Sequence, residues 1–218
     1  MAQPKLRFKR EDGTEFPEWE EKSISEICEP HARIGWQNLR TDEFLNEGDY
    51  YLVTGTDFQN GKVNFKTCHY IDKERYEQDI NIQIKNGSIL ITKDGTLGKV
   101  AFVDNMDKVG TLNAGVFVLQ KMRECIYNIY LYQYLTAPYL LNFVYDKSTG
   151  GTIKHLNQRV LIQFPVPIPC LEEQQKIADF LSTVDEVITQ SEAEVQNLEQ
   201  QKKAAMKKIF SKEVRFRR

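Results

Sequence analysis

Long apolar runs, a surplus of charge of either sign, paired cysteines and catalytic signatures are all missing from this 218-residue chain. No stretch approaches the roughly 18 consecutive apolar residues of a membrane-spanning helix. The start, MAQPKLRFKR, carries positive charge but no apolar run behind it, so no secretory signal is read and a cytosolic chain is expected. Lys plus Arg number 29 against 31 Asp plus Glu, a net charge of −2, which excludes a uniformly basic coat for nucleic acid. Apolar residues at 41% and charged residues at 28% exclude collagen-like, mucin-like and largely disordered chains. The length allows one or two domains with an adequate core.

Cys28, Cys68, Cys125 and Cys170 are scattered without CxxC spacing, so neither a zinc site nor a redox pair is indicated. They are expected to act as small buried hydrophobes. No GxGxxG follows a strand, and HExxH, GxSxG and an Asn-Pro-Pro-aromatic motif for holding a target amine are lacking. Glu20-Glu21-Lys22 contains an ExK without a partner acid at nuclease spacing upstream, and His31, His69 and His155 form no cluster. No catalytic residue, metal ligand or cofactor is therefore read, although an enzyme built on some other constellation stays open.

Glycine and proline are absent from residues 171–212, which are rich in Glu, Gln, Lys, Ala and Leu. That composition predicts a long helix. Pro165, Pro167 and Pro169 hold the preceding segment extended, because each fixes its own φ and disfavours a helical residue before it. Cys170 occupies the N-cap position, a poor substitute for serine, and Glu172 and Glu173 suit the positive end of the helix dipole. Three parts follow: 1–169, a mixed domain; 170–212, the helix; and 213–218, a basic tail.

Leu181, Val184, Ile188, Ser191, Val195, Leu198, Lys202, Ala205 and Ile209 keep strict 3–4 spacing along the helix, broken by Ser191 and Lys202. Ile177, Phe180 and Met206 widen the stripe. Such a seam predicts a coiled coil, with a lone amphipathic helix on its own domain as the alternative. No second helix of this kind is in the chain, so the partner is expected to be another copy. Residues 171–200 hold eight acids and one base, whereas residues 201–218 hold eight bases and one acid. Antiparallel pairing sets opposite charges together; dipole complementation alone would also explain the gradient.

Upstream, Tyr50–Thr54 and Lys62–Phe65 read as one hairpin and Ser88–Thr92 with Lys99–Val103 as another, followed by a strand over Ala114–Leu119. Residues 125–145 read as helix interrupted near Pro138. An α+β fold class results: one mixed α/β domain followed by a long C-terminal coiled-coil helix.

Three loops carry groups suited to DNA. In Lys93-Asp94-Gly95-Thr96-Leu97-Gly98-Lys99 the P-loop spacing fails, but Lys93, Thr96 and Lys99 could meet phosphates; a solvated turn is the alternative. Asp146–Arg159 offers Lys147, Ser148, Thr149, Thr152, Lys154, His155 and Asn157, the hydroxyl, amide and basic groups used on phosphates and base edges, with a solvated loop as the alternative. The stretch Arg33-Ile34-Gly35-Trp36-Gln37-Asn38-Leu39-Arg40 contributes Arg33 and Gln37, with Trp36 in the core and arginines at the rim as the alternative. Residues 11–29, with eight acids and one base, are expected to face away from DNA.

Leu6-Arg7-Phe8-Lys9-Arg10 near the start is echoed by Val214-Arg215-Phe216-Arg217-Arg218 at the end, as in one unit of something used twice. Three stretches carry a family resemblance: Leu6-Arg7-Phe8 through Phe16-Pro17-Glu18-Trp19-Glu20-Glu21; Gly87–Lys99; and Ile153–Asn157 through Pro165–Pro169 and Glu172–Leu181, then Lys207–Ser211. The chain resembles the specificity subunit of type I restriction–modification systems. That resemblance implies a non-catalytic DNA-reading subunit without cofactor. It implies partners too: double-stranded DNA, modification (methyltransferase) subunits and, through them, restriction subunits. A full subunit of that family has two recognition domains and two antiparallel spacer helices; this chain has one of each, which implies a homodimer on a symmetric split site. A decoy that occupies modification subunits without reading DNA is the alternative.

Overall fold

Alternating and continuous apolar runs become strands, and the glycine-free tail becomes helix, in a computed structural model that describes residues 6–37, 39–147 and 155–211. In chain order the elements are β1 (Glu20–Ser23), α1 (Ile24–Ile27), β2 (Glu29–Ala32), β3 (Tyr50–Val53), β4 (Phe58–Gln59), β5 (Lys62–Val63) and β6 (His69–Ile71). There follow α2 (Lys73–Glu77), β7 (Gln83–Ile84), β8 (Ile89–Thr92), β9 (Val100–Phe102), β10 (Val109–Leu112) and β11 (Val116–Gln120). The chain continues through α3 (Asn128–Thr136), α4 (Tyr139–Asp146), α5 (Gln158–Leu161), β12 (Pro165–Ile168) and α6 (Leu171–Phe210). This is the expected α+β class with a long C-terminal helix.

Three sheets form: β1-β12, β6-β3-β10-β7 and β2-β11-β8-β9-β5-β4. β3 with β10 and β5 with β9 pair in parallel; the other neighbours are antiparallel. One buried cluster joins Tyr51, Val53 and Leu112 of the four-stranded sheet to Leu90, Ala101, Val116 and Val118 of the six-stranded one. Strand alternation sends Ile89, Ile91, Phe117 and Leu119 to the opposite face, and these are buried as well. The central strands are thus covered on both sides, which is why they read as unbroken apolar runs.

The hairpin expected from Tyr50–Thr54 with Lys62–Phe65 is not made. β3 pairs with β6 and β10, and the turn closes instead between β4 and β5 around Asn60 and Gly61. Both turn residues have positive φ, 49° and 74°, the geometry for which Asn-Gly is favoured in two-residue hairpins. The hairpin of β8 with β9 forms as read. The helical stretch breaks at Pro138 into α3 and α4.

The proline segment is a strand, and its alternation has a use. Pro165 and Pro167 lie on one hydrogen-bonding edge of β12, where the Pro167 carbonyl accepts the Tyr130 hydroxyl at 2.8 Å. The missing donors therefore fall on the edge away from β1, and pairing with β1 is unharmed. The Gln174 amide donates to the Cys170 carbonyl at 3.0 Å, so the helix starts at the cysteine cap. Cys28 and Cys68 are buried as expected, but Cys125 and Cys170 are only half-buried. Burial pushes the Cys28 thiol up to about 12.

The chain divides into two units, Met1–Lys176 and Ile177–Arg218. The opening of α6 belongs to the first because Glu173 and Gln174 are fully buried. Gln174 uses both its side-chain donors and accepts one bond: Nε2 donates to the carbonyls of Cys125 (2.9 Å) and Pro169 (2.8 Å), and Oε1 accepts the Tyr127 amide (2.8 Å). In the second unit, Leu181, Val184, Ile188, Val195, Leu198 and Ile209 are all exposed, as are Ser191, Lys202 and Ala205. The Ser191 hydroxyl turns back onto the Val187 carbonyl at 2.9 Å.

Candidate nucleic-acid interface

The loop between β8 and β9 is shaped by Thr92. Its backbone amide donates to the Lys99 carbonyl (2.9 Å) and its carbonyl accepts the Gly98 amide (2.9 Å). Its hydroxyl accepts the Lys99 amide (2.9 Å) and donates to the Thr96 carbonyl, which pins the loop from inside. Gly98 has φ +68°, and a Cβ there would stand 2.5 Å from the Leu141 side chain of α4. The loop is therefore packed against α4, not free in solvent.

Two further segments meet it. The Lys93 amide donates to the Gly115 carbonyl at 2.9 Å, and the Lys93 carbonyl accepts the Leu156 amide at 2.7 Å. Asp94 and His155 form a backbone bridge and pair through Asp94 Oδ1 and His155 Nδ1. The two loops that the sequence marks as separate candidates thus share one site. The Thr54–Asp57 turn, at the end of β3, lies beside it: a Cβ on Gly55 would stand 2.8 Å from Thr92 Cγ2. Buried Asp57 holds that turn, accepting the Thr54 amide and hydroxyl (both 2.8 Å) and the Thr67 hydroxyl (2.9 Å).

The sequence-read residues are distributed unevenly. Thr96, Lys147, His155 and Asn157 are exposed. Lys147 follows α4 with its ammonium 5.5 Å from the Phe143 ring centroid. Asn157 caps α5 by accepting the Arg159 amide at 2.8 Å. Lys93 and Lys99 are half-buried: Lys93 lies over the Phe117 ring at 5.6 Å, and Lys99 donates to the Phe58 carbonyl. Asn38, the Trp36 side chain, Ser148, Thr149, Thr152, Lys154 and the tail 213–218 lie outside the described residues.

Arg33 and Gln37 are corrected by the structure. Only 2% of Arg33 and 4% of Gln37 is exposed, so neither is presented to DNA. The Arg33 guanidinium is enclosed by neutral acceptors, donating to the carbonyls of Leu112 (2.9 Å) and Gln37 (3.3 Å). Burial, followed by the nearby Arg75, lowers its pKa. Gly35 opens a 3-10 turn that folds the segment inward, a local event that charge and composition do not encode.

Asp94, which joins the two loops through His155, was not among the residues singled out by the sequence. The available signal was its status as the one acid in a loop otherwise made of Lys, Gly, Thr and Leu. Among the described residues no group of three or more His, Cys, Asp or Glu could hold a metal ion, and no helix is long and apolar enough to cross a membrane.

Comparison with known proteins adds the following. The family described as type I restriction modification DNA specificity domain matches residues 17–200. The specificity subunit of type I restriction enzyme MjaVIII from Methanocaldococcus jannaschii is 27% identical over 208 residues, covering 95% of this chain and 45% of that one. The EcoBI specificity subunit of Escherichia coli is 22% identical over 190 residues, covering 84% and 40%. Among solved structures, the HsdS subunit from Thermoanaerobacter tengcongensis has the same fold, with TM-score 0.57, 17% identity and coverage of 83% of this chain and 40% of that one. The S subunit of the M. genitalium type I system gives TM-score 0.57 at 18% identity, covering 88% and 45%. The chain spans less than half the length of these relatives.

Proposed function

The chain belongs to the type I restriction–modification DNA specificity family, and from that premise we propose that it reads one half of a split DNA site and pairs with a second copy through α6. The observation that carries this reading is the exposed apolar seam of α6, from Leu181 to Ile209. A second copy offers the same seam, and only an antiparallel arrangement sets the acidic 171–200 segment against the basic 201–218 segment. In this reading each recognition domain contacts DNA through Thr96, Lys147, His155 and Asn157, with Lys93 and Lys99 beside them; Ser148, Thr149, Thr152 and Lys154 are further contacts proposed on sequence alone. Methyltransferase subunits dock on the domains and helices, restriction subunits join that assembly, and the chain itself performs no catalysis. It acts in the cytoplasm.

The helix sets the scale of the split site. Forty residues span about 60 Å at 1.5 Å per residue, or under two turns of duplex at roughly 34–36 Å each. A net charge of −2 and half-buried Lys93 and Lys99 argue for weak binding by this chain alone, since phosphate neutralisation supplies much of the affinity. The methyltransferase partner then supplies most of the phosphate clamp.

The test is a salt titration of DNA binding with and without methyltransferase subunits, alongside sedimentation of the purified chain at micromolar concentration. A dimer whose affinity and salt slope both rise with the partner is expected. A strictly monomeric chain, or equal slopes in both arms, would overturn the reading. A complex that forms with the partner but selects no sequence would favour the decoy.

A further inference from the structure

We infer that Asp94 is a base-reading residue, its carboxylate accepting a hydrogen bond from an exocyclic amino group exposed on the DNA, cytosine N4 first of all. The inference rests on the DNA-reading role proposed above and names the chemistry of one contact within it.

A carboxylate on a phosphate-facing surface works against binding, because it repels the backbone that the neighbouring cations attract. Asp94 stands between Lys93 and Lys99 in sequence and against His155 in space. Bases, unlike phosphates, present donors, and an Asp or Glu accepting from cytosine N4 is a recurrent major-groove contact. The acid is therefore suited to the base edge and unsuited to the backbone.

The geometry is favourable to such a contact. The Asp94 side chain is 39% exposed, and one oxygen, Oδ1, is engaged by His155. Oδ2 has no hydrogen-bond partner among the described residues and stays available as an acceptor. The next residue is Gly95, where a Cβ would meet nothing within 4 Å beyond its own chain neighbours, so the approach of a groove edge is open there. The backbone under Asp94 is held on both sides, by Lys93 to Gly115 and by Leu156 to Lys93. Rigid placement is what discrimination between bases requires. His155 Nδ1, paired with Asp94 Oδ1, fixes the carboxylate rotamer. It is a positioning residue.

The experiment is selection from a randomised duplex pool by the full chain assembled with its methyltransferase subunits, comparing wild type, D94N and H155A. Wild type should enrich a motif. D94N should change the base preference at one position of each half-site by about five- to a hundredfold, leaving the other positions as they were. H155A should weaken binding to all sequences and lower the preference at that position by less than D94N does. If D94N strengthens or weakens every sequence equally, or if H155A shifts the same position as far, Asp94 is only a tie between loops and the inference is overturned. If wild type itself enriches no motif, the DNA-reading role fails, and this inference with it.

Discussion

Arg7 Nη2 lies 2.6 Å from Glu173 Oε2 and Nε lies 3.0 Å from Oε1, so the first described segment of the chain is clamped two-pronged to the opening turn of α6. The Trp19 indole donates to the same carboxylate at 2.9 Å. Glu173 is fully buried, while the Arg7 side chain keeps 19% exposure. A carboxylate suited by sequence to dipole complementation has instead become the hub of three segments far apart in sequence.

Removing that hub leaves a half-buried guanidinium and an indole without their acceptor. Glu173→Ala should cost about 2–3 kcal/mol, less than for a fully enclosed pair because water reaches Arg7. Urea unfolding at neutral pH measures it; a loss under 0.5 kcal/mol (about a third of a tenfold step in the equilibrium) would contradict the hub role.

Gln174 is more enclosed, with donors on two carbonyls and an acceptor on the Tyr127 amide. Gln174→Glu keeps the shape but discards both donors and buries a charge, so it should destabilise more than Gln174→Met. We expect about 3 kcal/mol or more for the acid. Comparison of the two unfolding midpoints decides, and equal midpoints would show that shape alone matters there.

Gly98 and Gly95 share a left-handed backbone, φ +68° and +72°, but only Gly98 faces a neighbour. Gly95→Ala should lose about 1 kcal/mol from backbone strain, and Gly98→Ala more, because Leu141 must also move. The second change displaces the β8–β9 loop. DNA affinity should therefore fall for Gly98→Ala at temperatures where both variants are folded.

Ile188→Asp places a charge in the middle of the α6 seam, twice in the proposed dimer. Losing one buried aliphatic group of about 1.5–3 kcal/mol on each copy should weaken self-association at least a hundredfold. The circular dichroism of the first unit should not change. Sedimentation velocity across a concentration series is the measurement, and an unaltered dimer would remove α6 as the contact.

Acid sensitivity follows from Glu43. The Arg40 amide and the Arg75 guanidinium hold its carboxyl below the usual carboxylate range. A group that binds protons less well folded than unfolded contributes stability above its unfolded pKa, and that contribution is lost as pH falls through the folded value. The stability of wild type should therefore drop further between pH 6 and pH 3.5 than that of Glu43→Gln; denaturant midpoints at the two pH values test the sign.

Legibility in the sequence followed interaction range. Period and composition exposed the β8–β9 hairpin, the break at Pro138, the extended prolines and the helix from Leu171, because each depends on residues a few positions apart. The hairpin expected from Tyr50–Thr54 failed for the complementary reason. The local pattern said that the chain reverses between the two apolar runs, but not that β3 pairs with the distant β6 and β10. Burial of Arg33 depended on the Leu112 carbonyl, 79 residues away.

What the sequence determined by itself was the β8–β9 hairpin, the long helix, and the charge gradient and apolar seam along α6, all written in nearest-neighbour periodicity. Tertiary structure alone decided that Asp94 and His155, 61 positions apart, stand together, and that Arg33 is withdrawn. Contacts across such separations are selected by the closure of whole sheets around a common core, and no local pattern of residues encodes that choice.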